Sequence, residues 1–424
     1  MQTACPVASP VLPPVLTPLL DTLPLQATAQ PPSALLLLVQ SANDLRNSGQ
    51  LQLARQRFQQ ALTAEPSCWQ AHLGLSSVYA QLHDSPAAAR HRRAAFQGRS
   101  VIPLPYRGAQ PPITILELVA IGPGNARINL FLSDTIYQRY LVAAEFADNT
   151  TPLPPHQLVL NAIGDPDSAP AALAGAQALL ARTFAPVINQ PSEVLATGRC
   201  AVADRLAHLP GVRTARTLTL PRQALLAPSA ANSLAARGFT FPLLLRTPGF
   251  HGGQHFLRVE SPADIPQAAA TLPGSELIVL EFLEARLADS KIRKYRVMII
   301  DGQLYPLHAA VSHHWKIHYF SAEMDDSPLH RAEDEAFLQD MPAVLGPRAM
   351  AALHGIQTEL ALDYGGIDFA LDPHGDILLF EANATMAVFP PPDQPQWNYR
   401  RPAVANICAA VHSMLRRRAL PASA

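Results

Sequence analysis

Two strand-length apolar runs, Tyr364-Gly365-Gly366-Ile367-Asp368-Phe369-Ala370 and Ile377-Leu378-Leu379-Phe380-Glu381-Ala382-Asn383, are separated by Asp372-Pro373-His374-Gly375-Asp376. Pro and Gly supply turn dihedrals there, so the segment predicts a β-hairpin. Side chains alternate between the faces of a strand. Glu381 and Asn383, two apart, therefore share one face, with Asp368 on the partner strand. Two carboxylates and an amide oxygen at one spot form a hard-oxygen set suited to Mg2+ (or Mn2+) carrying nucleotide phosphates. Leu378, Leu379 and Phe380 predict a buried second strand, where an unpaired Glu is costly and a cation would offset the cost. A plain surface hairpin is the other reading these residues leave open.

A chain of 424 residues exceeds one ordinary core and predicts two to four domains. Hydrophobic residues at 48% and charged residues at 15% describe a globular chain. A net charge of −1 gives no field that would draw nucleic acid or an anionic membrane. Cys5, Cys68, Cys200 and Cys408 form no Cys-x-x-Cys pair, which argues for a reducing compartment and against a zinc module or disulfide framework. No apolar run approaches the roughly 20 residues that span a bilayer. Residues 1–32 hold eight prolines and no basic start before an apolar core, so they read as a tail and not a signal peptide. A cytoplasmic location is the expectation.

Residues 33–100 carry apolar positions at helical spacing. A 34-residue self-similarity runs through them: Leu45, Ala54 and Ala61 recur as Tyr79, Ala88 and Ala95. This resembles tetratricopeptide repeats, with Arg92 where Phe58 stood and Ser100 where Pro66 stood. Two repeats are too few for an independent solenoid, so docking on the next domain or another subunit is expected. After a proline-rich linker (103–112), strands over 113–121, 157–163 and 185–189 alternate with an Ala-rich helix over 169–182. That order predicts a small parallel α/β layer. Gly122-Pro123-Gly124-Asn125 reads as a tight turn beside a cleft.

Further on, Leu243-Leu244-Leu245-Arg246 leads into a loop containing Gly252 and Gly253. Glycines let backbone N–H groups approach phosphate oxygens, and the arginine neutralises them. A strand from Glu276 to Glu281 continues into Phe282, Leu283 and Glu284. Lys294 to Ile300 reads as a strand turned back by Asp301-Gly302, and Arg296, alternating into a buried strand, needs an anionic partner. On the return strand, alternation puts His308, His314 and His318 on one face and His313 on the other. His308, Trp315, Lys316 and His318 either line an acceptor pocket or pack, with a zinc site as a further alternative. Residues 321–346 are acidic and expected to be irregular; helices are expected over 347–363 and 406–418.

The ordered set Arg246, Gly252-Gly253, Glu281/Glu284, Arg296, Asp368, Glu381 and Asn383 resembles the ATP-grasp superfamily of carboxylate–amine ligases over roughly 106–415. Among its subgroups, glutathione-synthetase-like and ribosomal-protein glutamate ligases are the most similar. The resemblance implies an α/β ATP-grasp fold, with a pre-ATP-grasp domain over 106–191 and an ATP-grasp domain over 192–424. The latter would divide into a lid subdomain (about 192–283) and a metal-binding subdomain (about 284–424). Asp368, Glu381 and Asn383 would hold Mg2+. Arg246, Gly252 and Gly253 would face the phosphates, with Arg199 the nearest cation to a second family lysine that is missing here. Glu281, Phe282, Leu283 and Glu284 would take adenine and ribose, and Arg296 would act with Arg246 at the acyl phosphate.

The implied reaction is ATP-dependent phosphorylation of a carboxylate, then amide formation with an amine, releasing ADP and phosphate. Three positions depart from family patterns: Arg246 replaces a usual Lys, Cys200-Ala201 stand where the second Lys is expected, and Gly366 replaces the Arg of dipeptide ligases. The implied partners are a small-molecule carboxylate and amine, with an amino acid or peptide among the options. A protein partner on the repeats and a homodimer are further options. The alternative function is a nucleotide-binding adaptor working through its helical repeats.

Overall fold

The structure is a computed structural model that describes residues 34–250, 253–317 and 322–420. It is a mixed α/β protein with a helical segment in front. The helices Ala34–Asn47, Leu51–Ala64, Trp69–Gln81 and Ser85–Phe96 form two antiparallel pairs. Asp84 caps the last of them, accepting a hydrogen bond from Ala87 N at 3.0 Å. The recurring small residues Ala54, Ala61, Ala88 and Ala95 are buried between helices, where side chains this size let the axes approach. The second pair docks on the following domain. Leu73, Ala95 and Phe96 share a core with Ile102 and Leu141, and Phe96 stacks on Phe146 at 5.3 Å.

The first sheet contains β1 (Val101–Pro103), β2 (Ile113–Val119), β3 (Tyr137–Ala143), β4 (Leu158–Asn161) and β5 (Val187–Ile188), in the order β1-β3-β2-β4-β5. It is parallel except for β1 on β3. The sequence reading had β2, β4 and β5 but not β1 or β3. Gln138 and Arg139 interrupt the apolar pattern of β3, and Arg139 is buried only because it meets Glu117, with Nε 2.8 Å and Nη2 2.7 Å from the same carboxylate oxygen.

β6 (Val212–Thr214) leaves this layer, and β7 (Thr217–Pro221), β8 (Leu243–Arg246), β9 (Phe256–Val259) and β10 (Glu276–Glu281) build an antiparallel sheet ordered β7-β10-β8-β9. Its own core is made by Leu225, Leu234, Phe239, Leu245, Val259 and Leu277. Among the described residues that core holds none of 192–214. Val194, Val202 and Leu206 pack instead with the first sheet, so the segment from 192 to 214 belongs to the body.

The third sheet is ordered β12-β11-β13-β14-β6, with β11 (Ile292–Ile300), β12 (Gln303–Ser312), β13 (Tyr364–Leu371) and β14 (Ile377–Asn383); only β6 on β14 is parallel. The hairpin is where the sequence put it, but β14 carries an irregularity. Asp368 pairs with Glu381 and Phe369 with Leu379, so Phe380 is the extra residue of a bulge. Phe380 is therefore 37% exposed and not buried as expected. A matching bulge at Leu307 separates the Arg296–His308 pair from Val297–Pro306.

The acidic stretch expected to be irregular is mostly helix, Pro328–Gln339 followed by Met341–Leu360. Ser327 caps the first and Asp340 the second, and Asp334 is buried against Arg400 and Tyr399. Composition hid that helix because its buried acid is paired only through the fold. The closing helix runs Arg401–Ala419. No helix among the described residues is long and apolar enough to cross a membrane.

Glu117→Gln leaves Arg139 buried without its counter-charge and should lower unfolding free energy by about 3 kcal/mol in urea titration. The double change Glu117→Met/Arg139→Met should be less destabilising than that single one.

Candidate functional site

Antiparallel pairing puts directly opposed side chains on one face of a sheet. In the third sheet, His308 on β12 faces Arg296 on β11, Arg296 faces Asp368 on β13, and Asp368 faces Glu381 on β14. Four polar residues thus form one row across four strands, with a bulge beside each end. Lys294, two residues before Arg296, shares its face. Arg296 grips Asp368 through both carboxylate oxygens, Nε to Oδ1 at 2.5 Å and Nη2 to Oδ2 at 2.7 Å, and Lys294 Nζ adds a contact to Oδ2 at 2.6 Å. Asp368 is fully buried. Burial alone would raise its pKa, but Arg296 and Lys294 hold it well below the usual carboxylate range. His308 is pushed well below an ordinary histidine by burial, then by Arg296 and Arg400, so it is neutral at pH 7.

Arg199, at the start of the helix Arg199–Leu206, reaches Glu381 Oε1 with Nη2 at 2.9 Å. Its backbone N–H donates to Asp167 Oδ2 at 3.0 Å, tying that helix to the loop after β4. Asn383 also donates to Glu381 Oε1, from Nδ2 at 3.0 Å, while its own Oδ1 accepts from Thr385 N and Oγ1. Glu381 is lowered overall: burial raises it, but Arg199 and then Arg246 and Lys294 outweigh that and the opposing charge of Asp368. At Gly366 a Cβ would lie 2.6 Å from Met386 Cγ, so no side chain fits there.

Arg246, at the end of β8, is buried. Its Nη2 donates to Phe250 O, its guanidinium lies 5.5 Å from the centre of the Phe256 ring, and its Nε has no hydrogen-bond partner among the described residues. Burial, and next the charge of Arg199, lower its pKa to about 10, still cationic at neutral pH. Two adjoining cavities of about 240 and 180 Å3 share Arg199, Arg246, Phe380 and Glu381. The first also reaches Asp165, Asp167 and Asn383; the second is lined by Glu281, Phe282, Leu283, Trp315, Lys316 and Gly253. Trp315 meets the rings of Phe256 and Phe282 edge-on, and Arg258 lies 4.3 Å from the Phe282 ring centre. Gly253 has φ +71, and a Cβ there would sit 2.6 Å from Lys316 Cε, so the lysine lies directly under the lid loop.

Several expectations change. Glu284 does not line the cleft: it is exposed, accepts from Arg286 N, and β10 has already ended. Trp315 and Lys316 face the cavity of the 281–283 segment, not the one holding His308, because β12 stops at Ser312 and the alternation expected through 319 does not continue. His313 pairs with Glu323 at 2.7 Å, and among the described residues no group of three His, Cys, Asp or Glu could hold a zinc ion. Gly252 and His318 lie outside the described residues. Lys294, Phe380, Asp165 and Asp167 were missed; for Lys294 the signal was its two-residue spacing from Arg296 on a strand.

The donor chemistry at Asp368, Glu381 and Asn383 fits a hard divalent cation on one condition. Asp368 Oδ2 is shared with Lys294, whose flexible stem can withdraw while the planar Arg296 fork stays. Glu381 Oε2 has no partner among the described residues, and an amide rotation of Asn383 would turn its oxygen toward Glu381.

In metal-free buffer, Asp368→Asn should destabilise the protein by about 3–5 kcal/mol in urea unfolding, because Arg296 and Lys294 lose their shared counter-charge. A loss below about 1 kcal/mol would contradict the ion-paired geometry.

No family model matches the sequence, and no curated protein matches it. Solved structures do. The VanG D-Ala:D-Ser ligase of Enterococcus faecalis is 13% identical, covering 73% of this chain and 100% of its own, with a TM-score of 0.43. The D-alanine–D-alanine ligase of Bacillus anthracis, complexed with ATP, is 14% identical, covering 73% and 96%, with a TM-score of 0.42. The ATP-grasp ligase PsnB, complexed with a precursor peptide and AMPPNP, is 15% identical, covering 72% and 99%, with a TM-score of 0.40.

Proposed function

We propose that the chain is an ATP-dependent ligase of the ATP-grasp kind, which activates a carboxylate as an acyl phosphate and joins it to an amine. The carrying observation is Arg246: a buried cation with an unpartnered Nε, lining both cavities with Glu381. Among the described residues its hydrogen bond goes to a carbonyl, and the carboxylates of Glu381, Asp165 and Asp167 act on it only through space; a phosphate would supply a directly bonded anion, bidentately. Phe282, Leu283 and Trp315 offer the apolar walls that a purine would use. Asp368, Glu381 and Asn383 would hold Mg2+ (or Mn2+), which when bound neutralises the polyphosphate.

In this reading, the acid's carboxylate oxygen attacks the terminal phosphorus of ATP, and the bond to the bridging oxygen breaks to release ADP. Arg246 and Arg199 balance charge on the moving phosphoryl group. The amine nitrogen then attacks the acyl carbon, the bond from that carbon to the phosphate oxygen breaks, and the departing phosphate takes up the proton that the nitrogen loses. Neutral His308 can accept a hydrogen bond from that amine. Closing the lid sheet, with its separate core, would keep water from the acyl phosphate. The 34-residue recurrence supports reading the leading helices as tetratricopeptide-like, and the free thiols of Cys68, Cys200 and Cys408 suit a cytoplasmic enzyme.

Purified protein with Mg2+ and ATP should release ADP over many turnovers only when carboxylates and amines are supplied together, because without an amine the acyl phosphate is not consumed. Glu381→Gln and Arg246→Met should each lower that release by about 100-fold. ATP binding that no substrate pool turns into ADP release favours the adaptor alternative, and failure to bind ATP overturns both.

A further inference from the structure

A third cavity of about 170 Å3 is lined by Lys294, which also lines the cavity of the 281–283 segment. Its inner end is made by Lys294, Arg296 and His308; its walls by Phe389, Trp397 and Met324. We propose that this cavity holds the acid substrate, and that the acid is a monocarboxylate carrying a bulky apolar body of aromatic size. The inference rests on the ligase reading and adds the substrate class to it.

Charge fixes one end. Lys294 and Arg296 set two positive charges against the single carboxylate of Asp368, and Glu381 is already held by Arg199. The row therefore presents one net positive charge to the cavity. Arg400 also lines the cavity, but it adds nothing to this excess: the fully buried Asp334 matches it at 3.4 Å. One surplus cation suits one carboxylate, placed next to Lys294, the residue shared with the nucleotide side. The carboxylate thus lies where a phosphoryl group could reach it. His308, neutral, adds no competing charge.

The walls fix the other end. Trp397 and Met324 are buried to within a few per cent, while Phe389 is 43% exposed beside Pro390 and Pro392. Burying an apolar body against such side chains stabilises a complex in proportion to the area covered. Trp397 and Met324 are already covered, so Phe389 is the apolar surface a ligand would bury, and a small acid would leave it exposed. The acidic lining residue, Asp325, is exposed, so water screens its charge.

The test is calorimetric titration of the full-length protein with 3-phenylpropionate, propionate and phenethylamine, with AMPPNP and Mg2+ titrated in parallel. The expected result is that 3-phenylpropionate binds at least tenfold more tightly than propionate, and that phenethylamine does not bind. Phe389→Ala should erase most of that tenfold preference and Phe389→Leu should keep most of it, with AMPPNP binding unchanged in both. Equal binding of propionate, or binding of phenethylamine, overturns the assignment. Silence of 3-phenylpropionate with AMPPNP bound also overturns it and leaves the ligase reading standing. Binding of 3-phenylpropionate without any AMPPNP binding supports the cavity assignment and removes the ligase reading instead.

Discussion

A carboxylate with no exposure at all, gripped by a guanidinium fork and an ammonium, is the constraint around which the third sheet is built. A lone charge at that depth would cost several kcal/mol, so Asp368 and its two cations must be placed together or not at all. Pairing of β11 with β13 does this by opposing Arg296 and Asp368 directly. The two bulges then let the flanking strands diverge on either side of the pair. On β14 the extra residue, Phe380, turns into the cleft while Glu381 keeps its place beside Asp368; on β12 the extra Leu307 lets His308 end the row.

Two cavities with different chemistry meet at this row because three bodies of packing converge there. The first and third sheets share one apolar core, in which Leu118 and Val297 both take part, so the loop after β4 and the helix carrying Arg199 are fixed relative to β14. The second sheet has its own core, and near the cleft its tie to the body includes Glu281, which accepts from Arg213 Nη2 at 3.2 Å and Arg216 N at 3.3 Å. Rigid positioning thus belongs to the carboxylate side of the site, and whatever freedom there is belongs to the side bearing Arg246 and Gly253.

Period-two alternation made the hairpin, its turn and the shared face of Glu381 and Asn383 legible in the sequence, and Arg296 was readable as a buried cation requiring an anion. Alternation also misled wherever the backbone left it. The bulge at Phe380 breaks parity within β14, and the end of β12 at Ser312 released Trp315 and Lys316 to a different wall from His308. The acidic helix Pro328–Gln339 was invisible because Asp334 is satisfied by Tyr399 and Arg400, residues far along the chain. What could not be read was long-range pairing; what could was local periodicity.

The ion pairs also order the events of ligand entry. Arg199 is committed to Glu381 and would have to exchange that carboxylate for an incoming anion. Exchange between two charged partners gains little, since desolvation and Coulomb terms nearly cancel. Among the described residues Arg246 hydrogen-bonds no carboxylate, and its Nε, without a partner there, already bears the cost of burial. An anion entering the cleft therefore gains most at Arg246. Once it neutralises that charge, the repulsion between Arg246 and Arg199 falls, and Arg199 can shift from Glu381 toward the same anion. Under the proposed function, such an order would leave Glu381 open for a cation only after an anion has arrived at Arg246.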